Sequence, residues 1–313
     1  MKKTVLAFAA LASMSGAALA QSSVTAFGII DLAARSLKGA DSVKYLSNEG
    51  RATSRLGFRG VEDLGGGLKA SFHIETHVNA DDGSVGGNFW QRRATVSLLG
   101  GFGELRLGRD KATTRTLLDA YDPFGTSGMP GLNRLITDGV DRNRLDNGVI
   151  YFLPSMGGVY GSVGVTAGEG ANSASTQRSV SGRLGYKAGA FDVSGAYGEF
   201  GSSNKLKITA LGGSYDFGGF KLAGAWIDPA GAAKGFVIGG TVRLGTVSLL
   251  AEFARDTNAD DTDFLLEAKY PLSKRTFAYA AYLQDGKKKN GAFNAATVGK
   301  NVNGFGLGIR HNF

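Results

Sequence analysis

The chain of 313 residues has no cysteine and only five prolines, three histidines and two tryptophans. Lack of cysteine excludes a disulfide framework and thiolate metal centres, so an exported form of this chain needs another source of stability, such as a fully hydrogen-bonded sheet. Scarcity of proline leaves β-strands uninterrupted. Past residue 20 no run of 18 apolar residues occurs, and no transmembrane helix is expected. Catalytic signatures are missing as well: there is no G-x-S-x-G elbow, no H-E-x-x-H and no P-loop. Gly304-Phe305-Gly306-Leu307-Gly308 sits in an alternating strand with no helix after it, so it cannot cradle a dinucleotide. His73 and His77 share a strand face but read as lumen lining, since only three histidines exist. Asp256, Asp260, Asp261 and Asp263 lack the spacing of a calcium loop and read as a solvated tip. Lys287-Lys288-Lys289 has no interleaved aromatics for nucleic acid and suits anionic lipopolysaccharide. No enzyme, cofactor, metal or nucleic-acid partner is expected.

What is present begins with an export signal. Lys2 and Lys3 form a positive start, Thr4 to Ala12 is apolar but too short to span a bilayer, and Ala18-Leu19-Ala20 is a small-residue cleavage site. Cleavage after Ala20 is expected to leave 293 of the 313 residues and, with two lysines gone, to lower the formal charge from +8 to +6. The other end, Gly306-Leu307-Gly308-Ile309-Arg310-His311-Asn312-Phe313, alternates and stops on an aromatic residue. An exported chain without a transmembrane helix can live in a membrane only as a closed sheet, which leaves no backbone polar group unpaired in lipid. The 49 glycines and a mean hydropathy of −0.06 fit apolar residues facing out and polar ones facing in.

A period of two runs through the chain, punctuated by seven short turns at 62–67, 100–103, 155–158, 187–190, 216–220, 245–246 and 271–275. The strands they separate are expected near 23–35, 51–62, 68–79, 90–99, 103–109, 144–154, 158–168, 178–188, 190–200, 206–217, 220–228, 234–244, 247–256, 262–271, 276–285 and 303–313. The fold class is therefore all-β: a 16-stranded antiparallel transmembrane β-barrel occupying residues 21–313, with short periplasmic turns and long extracellular loops. In Lys69-Ala70-Ser71-Phe72-His73-Ile74-Glu75 the polar set must face water, because an Arg or Lys on the lipid face at mid-depth costs about 2–4 kcal/mol. Phe102, Tyr186, Phe191, Tyr215, Phe217, Phe220, Tyr270 and Phe277 cluster at the short-turn ends and are expected to form an interfacial girdle. Sixteen strands enclose an aqueous channel. The long connection 110–143 shows no strand or helix period, and it is expected to fold inward and narrow that channel.

Several motifs together resemble the general porins of Gram-negative β-proteobacteria, of the Neisseria, Burkholderia and Comamonas type. They are Ser22-Ser23-Val24-Thr25-Ala26-Phe27-Gly28-Ile29-Ile30-Asp31, Ser54-Arg55-Leu56-Gly57-Phe58-Arg59-Gly60-Val61-Glu62-Asp63-Leu64-Gly65-Gly66-Gly67, Gly100-Gly101-Phe102-Gly103-Glu104-Leu105-Arg106-Leu107-Gly108-Arg109, Asp122-Pro123-Phe124-Gly125, Tyr270-Pro271-Leu272-Ser273-Lys274-Arg275 and the terminal Arg310-His311-Asn312-Phe313. The resemblance spans the mature chain. It implies a homotrimer in outer-membrane lipid and lipopolysaccharide, with the third extracellular loop folded into each pore and Phe313 as the C-terminal assembly signal.

It further implies a constriction in which wall arginines oppose loop acids. Position by position the arginines fall on Arg55 or Arg59, on Arg92 or Arg93, and on Arg144 with Arg142 beside it. Alternation favours Arg93 inward, because Trp90, Ala94 and Val96 share the other face. The acids would come from Asp119, Asp122, Asp138 and Asp141. Ile150 departs from relatives that carry a basic residue there, which weakens the field on that wall. Arginine stays charged at any relevant pH and presents fixed donors, so a basic ring favours anions. A second reading has the same arginines pairing with carboxylates to brace the wall, and Arg109 or Lys274 lying among headgroups. The expected function is passive diffusion of small hydrophilic solutes and ions with a mild preference for anions; the alternative is a solute-specific channel for anions such as organic acids.

Overall fold

The structure, a computed structural model, describes residues 23–39, 42–124, 144–167, 178–201, 205–229, 234–286 and 303–313. Among the described residues seventeen strands follow one another: β1 (Ser23–Lys38), β2 (Ser42–Ser47), β3 (Arg55–Gly65), β4 (Leu68–His77), β5 (Arg93–Gly100), β6 (Gly103–Lys111), β7 (Arg144–Phe152), β8 (Val159–Thr166), β9 (Ser179–Ala188), β10 (Phe191–Phe200), β11 (Leu206–Asp216), β12 (Phe220–Pro229), β13 (Gly235–Leu244), β14 (Val247–Asp256), β15 (Asp261–Pro271), β16 (Thr276–Gln284) and β17 (Asn303–Asn312). One short helix, α1 (Thr113–Tyr121), lies between β6 and β7. From β3 to β17 each strand pairs antiparallel with its sequence neighbour, and β1 pairs with β17 from Ile29↔Asn312 to Lys38↔Asn303, which closes the sheet. The other edge of β1 is shared: its first half pairs with β3 and its second half with β2. β2 and β3 are thus two halves of one stave, and the barrel has sixteen.

That split differs from the single strand expected at 51–62. Between the halves, residues 48–54 leave the sheet and their backbone is satisfied by side chains instead. The Asp31 carboxylate accepts the N–H groups of Arg51 (3.0 Å) and Ala52 (2.8 Å), and Ser54 Oγ accepts the N–H of Asp31 at 2.9 Å. The expected loop at 110–143 also differs, because it contains α1; residues 125–143 lie outside the described set.

All seven short turns fall where the sequence puts them, each joining a hairpin. Outward positions carry exposed apolar side chains such as Val163, Leu184, Leu211, Ile238 and Leu307. A soluble protein would not leave so many apolar groups in water on every strand. Among the described residues no helix is long and apolar enough to cross a membrane. Phe102, Tyr186, Phe191, Tyr215, Phe217, Phe220 and Tyr270 are exposed at the short-turn end, as a girdle requires. Phe277 is an exception: it shares the inward phase of Tyr279 and lies beneath Lys269 and Arg310, 5.2 and 5.6 Å from its ring centre. The lumen is not empty. Leu117, Leu118 and Tyr121 of α1, with Phe124 beyond it, pack on Ala196, Ile208, Ala210, Ile227 and Val237 of β10–β13. Away from this inner cluster, the described residues leave a cavity on the β3–β7 side.

Candidate pore constriction

α1 buries Thr113, Thr114, Leu117, Leu118 and Tyr121, positions that fall on one helical face. Its end is pinned to the wall. The Tyr121 hydroxyl donates to Asp192 (2.8 Å) and lies 3.0 Å from both Ser194 Oγ and Tyr160 Oη. Arg183 donates to the Thr116 carbonyl at 2.8 Å. Burial pushes the Tyr121 phenol above its ordinary pKa, so it remains a donor.

Opposite the helix, a set of charged side chains on β3 to β7, with that of Arg92 just before β5, turns inward. They line a cavity of about 280 Å³ together with His73 and with Thr113 and Thr116 of the loop: Arg55, Glu75, Arg92, Arg93, Arg106, Asp110, Lys111 and Arg144 carry its charge. Glu75 is the hub, bonded to Arg92 and within 3.7 Å of Arg55. Arg106 donates to Glu104 (2.9 Å) and Asp110 (2.7 Å) and stacks over Phe152. Arg144 donates to the Arg92 carbonyl at 2.6 Å, which fixes both residues in one layer. Ile150, buried, forms the apolar floor.

Of the residues singled out in the sequence, Arg55, Arg93 and Arg144 come together in this cavity. Arg59 does not line it; it lies further along β3 toward the short turn, with its guanidinium 5.1 Å from the centre of the Phe27 ring. Arg92 shares the cavity with Arg93, because it precedes β5 and the pleat does not govern it. Asp119 pairs with Lys111 at the end of β6 and with Arg115 of α1 (3.0 Å). Asp122 is the C-cap residue of α1, and its carboxylate accepts the N–H of Phe124 at 2.8 Å. Arg142, Asp138 and Asp141 lie outside the described residues. Arg106 and Asp110 escape the sequence reading, although Glu104, Arg106 and Asp110 alternate with Leu105 and Leu107 and so announce a polar face. Phe313 closes the seam: its N–H and carbonyl exchange hydrogen bonds with Gly28 at 3.1 Å each.

Of the acidic group at 256–263, Asp260 is exposed in the turn, where it pairs with Arg255 at 2.6 Å, and the other three do not form a solvated tip. Asp256, Asp261 and Asp263 are buried, and Asp261, Asp263 and Asp285 place carboxylate oxygens within 4.8 Å of one another. Their depth follows from the inward phase they share on β14 and β15.

A closed sheet, greasy outside and lined by charge inside, defines a water-filled transmembrane channel. The profile of the Gram-negative porin family matches residues 7–291, and the chain belongs to that family. It is 36% identical to Outer membrane porin protein 32 of Delftia acidovorans, over the whole length of both chains. It is 29% identical to the Major outer membrane protein P.IB of a serogroup A strain of Neisseria meningitidis, again across all of both. Among solved structures it is similar to the anion-selective porin from Comamonas acidovorans, with a TM-score of 0.78 and 31% identity over 94% of this chain and 100% of that one. Salmonella typhi OmpF, at 14% identity and a TM-score of 0.68 over 93% of this chain and 97% of that one, shares the fold. The chain is a porin of the outer membrane, forming a channel for passive diffusion of small hydrophilic solutes.

Proposed function

We propose that this porin prefers anions, and that the preference is set where α1 faces the wall arginines. One observation carries the reading: the cavity is lined by five arginines and Lys111 against only Glu75 and Asp110. In a narrow, partly desolvated aperture such an excess attracts anions and repels cations. Arg55, Arg93 and Arg144 form the selective face with Arg92 and Arg106, while Arg59 extends the positive track toward the periplasm. Asp119 stands against the basic wall through Lys111 and also holds Arg115 of α1, while Asp122 accepts the Phe124 amide. Arg142, Asp138 and Asp141 keep a place at the rim by resemblance alone. The similar porin from Comamonas acidovorans is anion-selective, which supports the same sign. The mature protein begins after Ala20, works as a homotrimer in lipid and lipopolysaccharide, and uses Phe313 as its assembly signal.

The test is the reversal potential in a salt gradient across a planar bilayer. The parent is expected to show a potential of anion sign with current that does not saturate as salt rises. Neutralising Arg55, Arg93 and Arg144 together, each to Gln, should lower the anion-to-cation permeability ratio by about tenfold, because a unit charge a few ångströms away in water is worth about 1 kcal/mol and salt screens part of it. A parent that passes mainly cations would overturn the proposal. Trimerisation is read separately, as a slow-migrating band in unheated detergent that collapses on heating.

A further inference from the structure

The arginine wall explains charge, but it does not explain what holds the loop at a fixed distance from that wall. α1 is pinned at Tyr121, and the chain then continues through Asp122, Pro123 and Phe124 to a second contact beside β13–β15. There it meets the segment 48–54, which has left the sheet and folded inward. We propose that Arg51 is a positioning residue that clamps the third loop, at Pro123 and Phe124, to the barrel and thereby sets the width of the aperture.

Arg51 touches three things at once. Its Nε is forked between Glu267 Oε1 at 2.8 Å and Oε2 at 3.1 Å on β15. One terminal nitrogen donates to the Pro123 carbonyl at 3.3 Å, and the guanidinium lies 5.8 Å from the centre of the Phe124 ring. The wall is shaped to receive these two residues: a Cβ on Gly239 would stand 2.9 Å from Pro123 Cγ, and Glu252 Oε2 lies 3.4 Å from the Phe124 amide. The clamp itself is rigid at its root. Asp31 holds the backbone N–H of Arg51 and Ala52 and is in turn held by the Tyr279 hydroxyl at 2.6 Å. Glu267 is almost fully buried, so its charge fixes the arginine in place. A planar fork can satisfy a carboxylate, a carbonyl and a ring together, whereas a lysine ammonium cannot.

Arg51 does not line the basic cavity, and Glu267 balances its charge. Its removal therefore alters the mobility of the aperture and not the sign of the ions that pass. This role needs the lumen to be the conducting path but does not need the anion preference, so the two can fail separately.

The test uses the full-length protein in planar bilayers at single-channel resolution, with Arg51→Gln and Arg51→Lys. Both should assemble into heat-modifiable oligomers. Open-channel current noise is expected to rise about twofold or more in Arg51→Gln and less in Arg51→Lys, with a changed unitary conductance and a reversal potential equal to that of the parent. If Arg51→Gln does not assemble, Arg51→Lys carries the test, since it keeps the charge beside Glu267 and loses the fork. Noise and conductance indistinguishable from the parent would overturn the clamp. So would a reversal potential displaced as in the Arg55, Arg93 and Arg144 variant, which would make Arg51 part of the field. The parent's own reversal potential reports on the anion preference alone.

Discussion

Gly50 shows how tightly single side chains are fitted inside this wide barrel. A Cβ at this position would overlap the Tyr279 hydroxyl and Asp31 Oδ1, the pair that anchors the inward segment. Gly50→Ala is expected to cost about 1–3 kcal/mol, as overpacking does, read as a lower temperature at which the folded band disappears in detergent. Residues of the basic cavity are legible to the extent that the pleat governs them. Arg55, Arg93 and Arg144 can be read because strand period and motif position agree. Arg92 escapes alternation because it lies one residue before β5 starts. Asp119 is expected to face the arginines; it also pairs with Arg115 one helical turn earlier, a spacing that becomes readable only once a helix is recognised.

At the scale of the element, α1 is the piece the sequence hides. Its buried face reads Thr113, Thr114, Leu117, Leu118 and Tyr121; with two threonines among five positions, the apolar stripe is too short to announce itself. No side chain caps its N-terminus. A nine-residue helix is marginal by itself, so wall contacts must hold it. Tyr121→Phe removes the hydroxyl and leaves Asp192 short of a donor, at an expected local cost of about 1–3 kcal/mol. Faster hydrogen exchange at the amides of residues 113–121, with the strands unaffected, is the signature to look for. The break between β2 and β3 is illegible for a different reason. The bonds that replace the ladder come from Asp31, distant in the chain, and local pattern carries no trace of them.

The whole molecule is the most legible level, because turns and alternation repeat around the ring and each repeat corrects its neighbours. The strand count follows from seven turns and two ends, and the structure closes with that number. Leu184, on the outward face of β9, offers a direct measure of the surrounding solvent. Leu184→Arg should destabilise the bilayer-embedded fold by about 2–4 kcal/mol if that position lies at mid-depth, measured by urea unfolding in vesicles. The seam between β1 and β17 has its own corollary. Ten residue pairs along it join the first stave to the last, so a polypeptide missing β17 would present two raw margins to oil instead of one smaller tube. Shortened translation products would therefore yield no miniature pores, and the cell would meet either a finished cylinder or debris for its proteases.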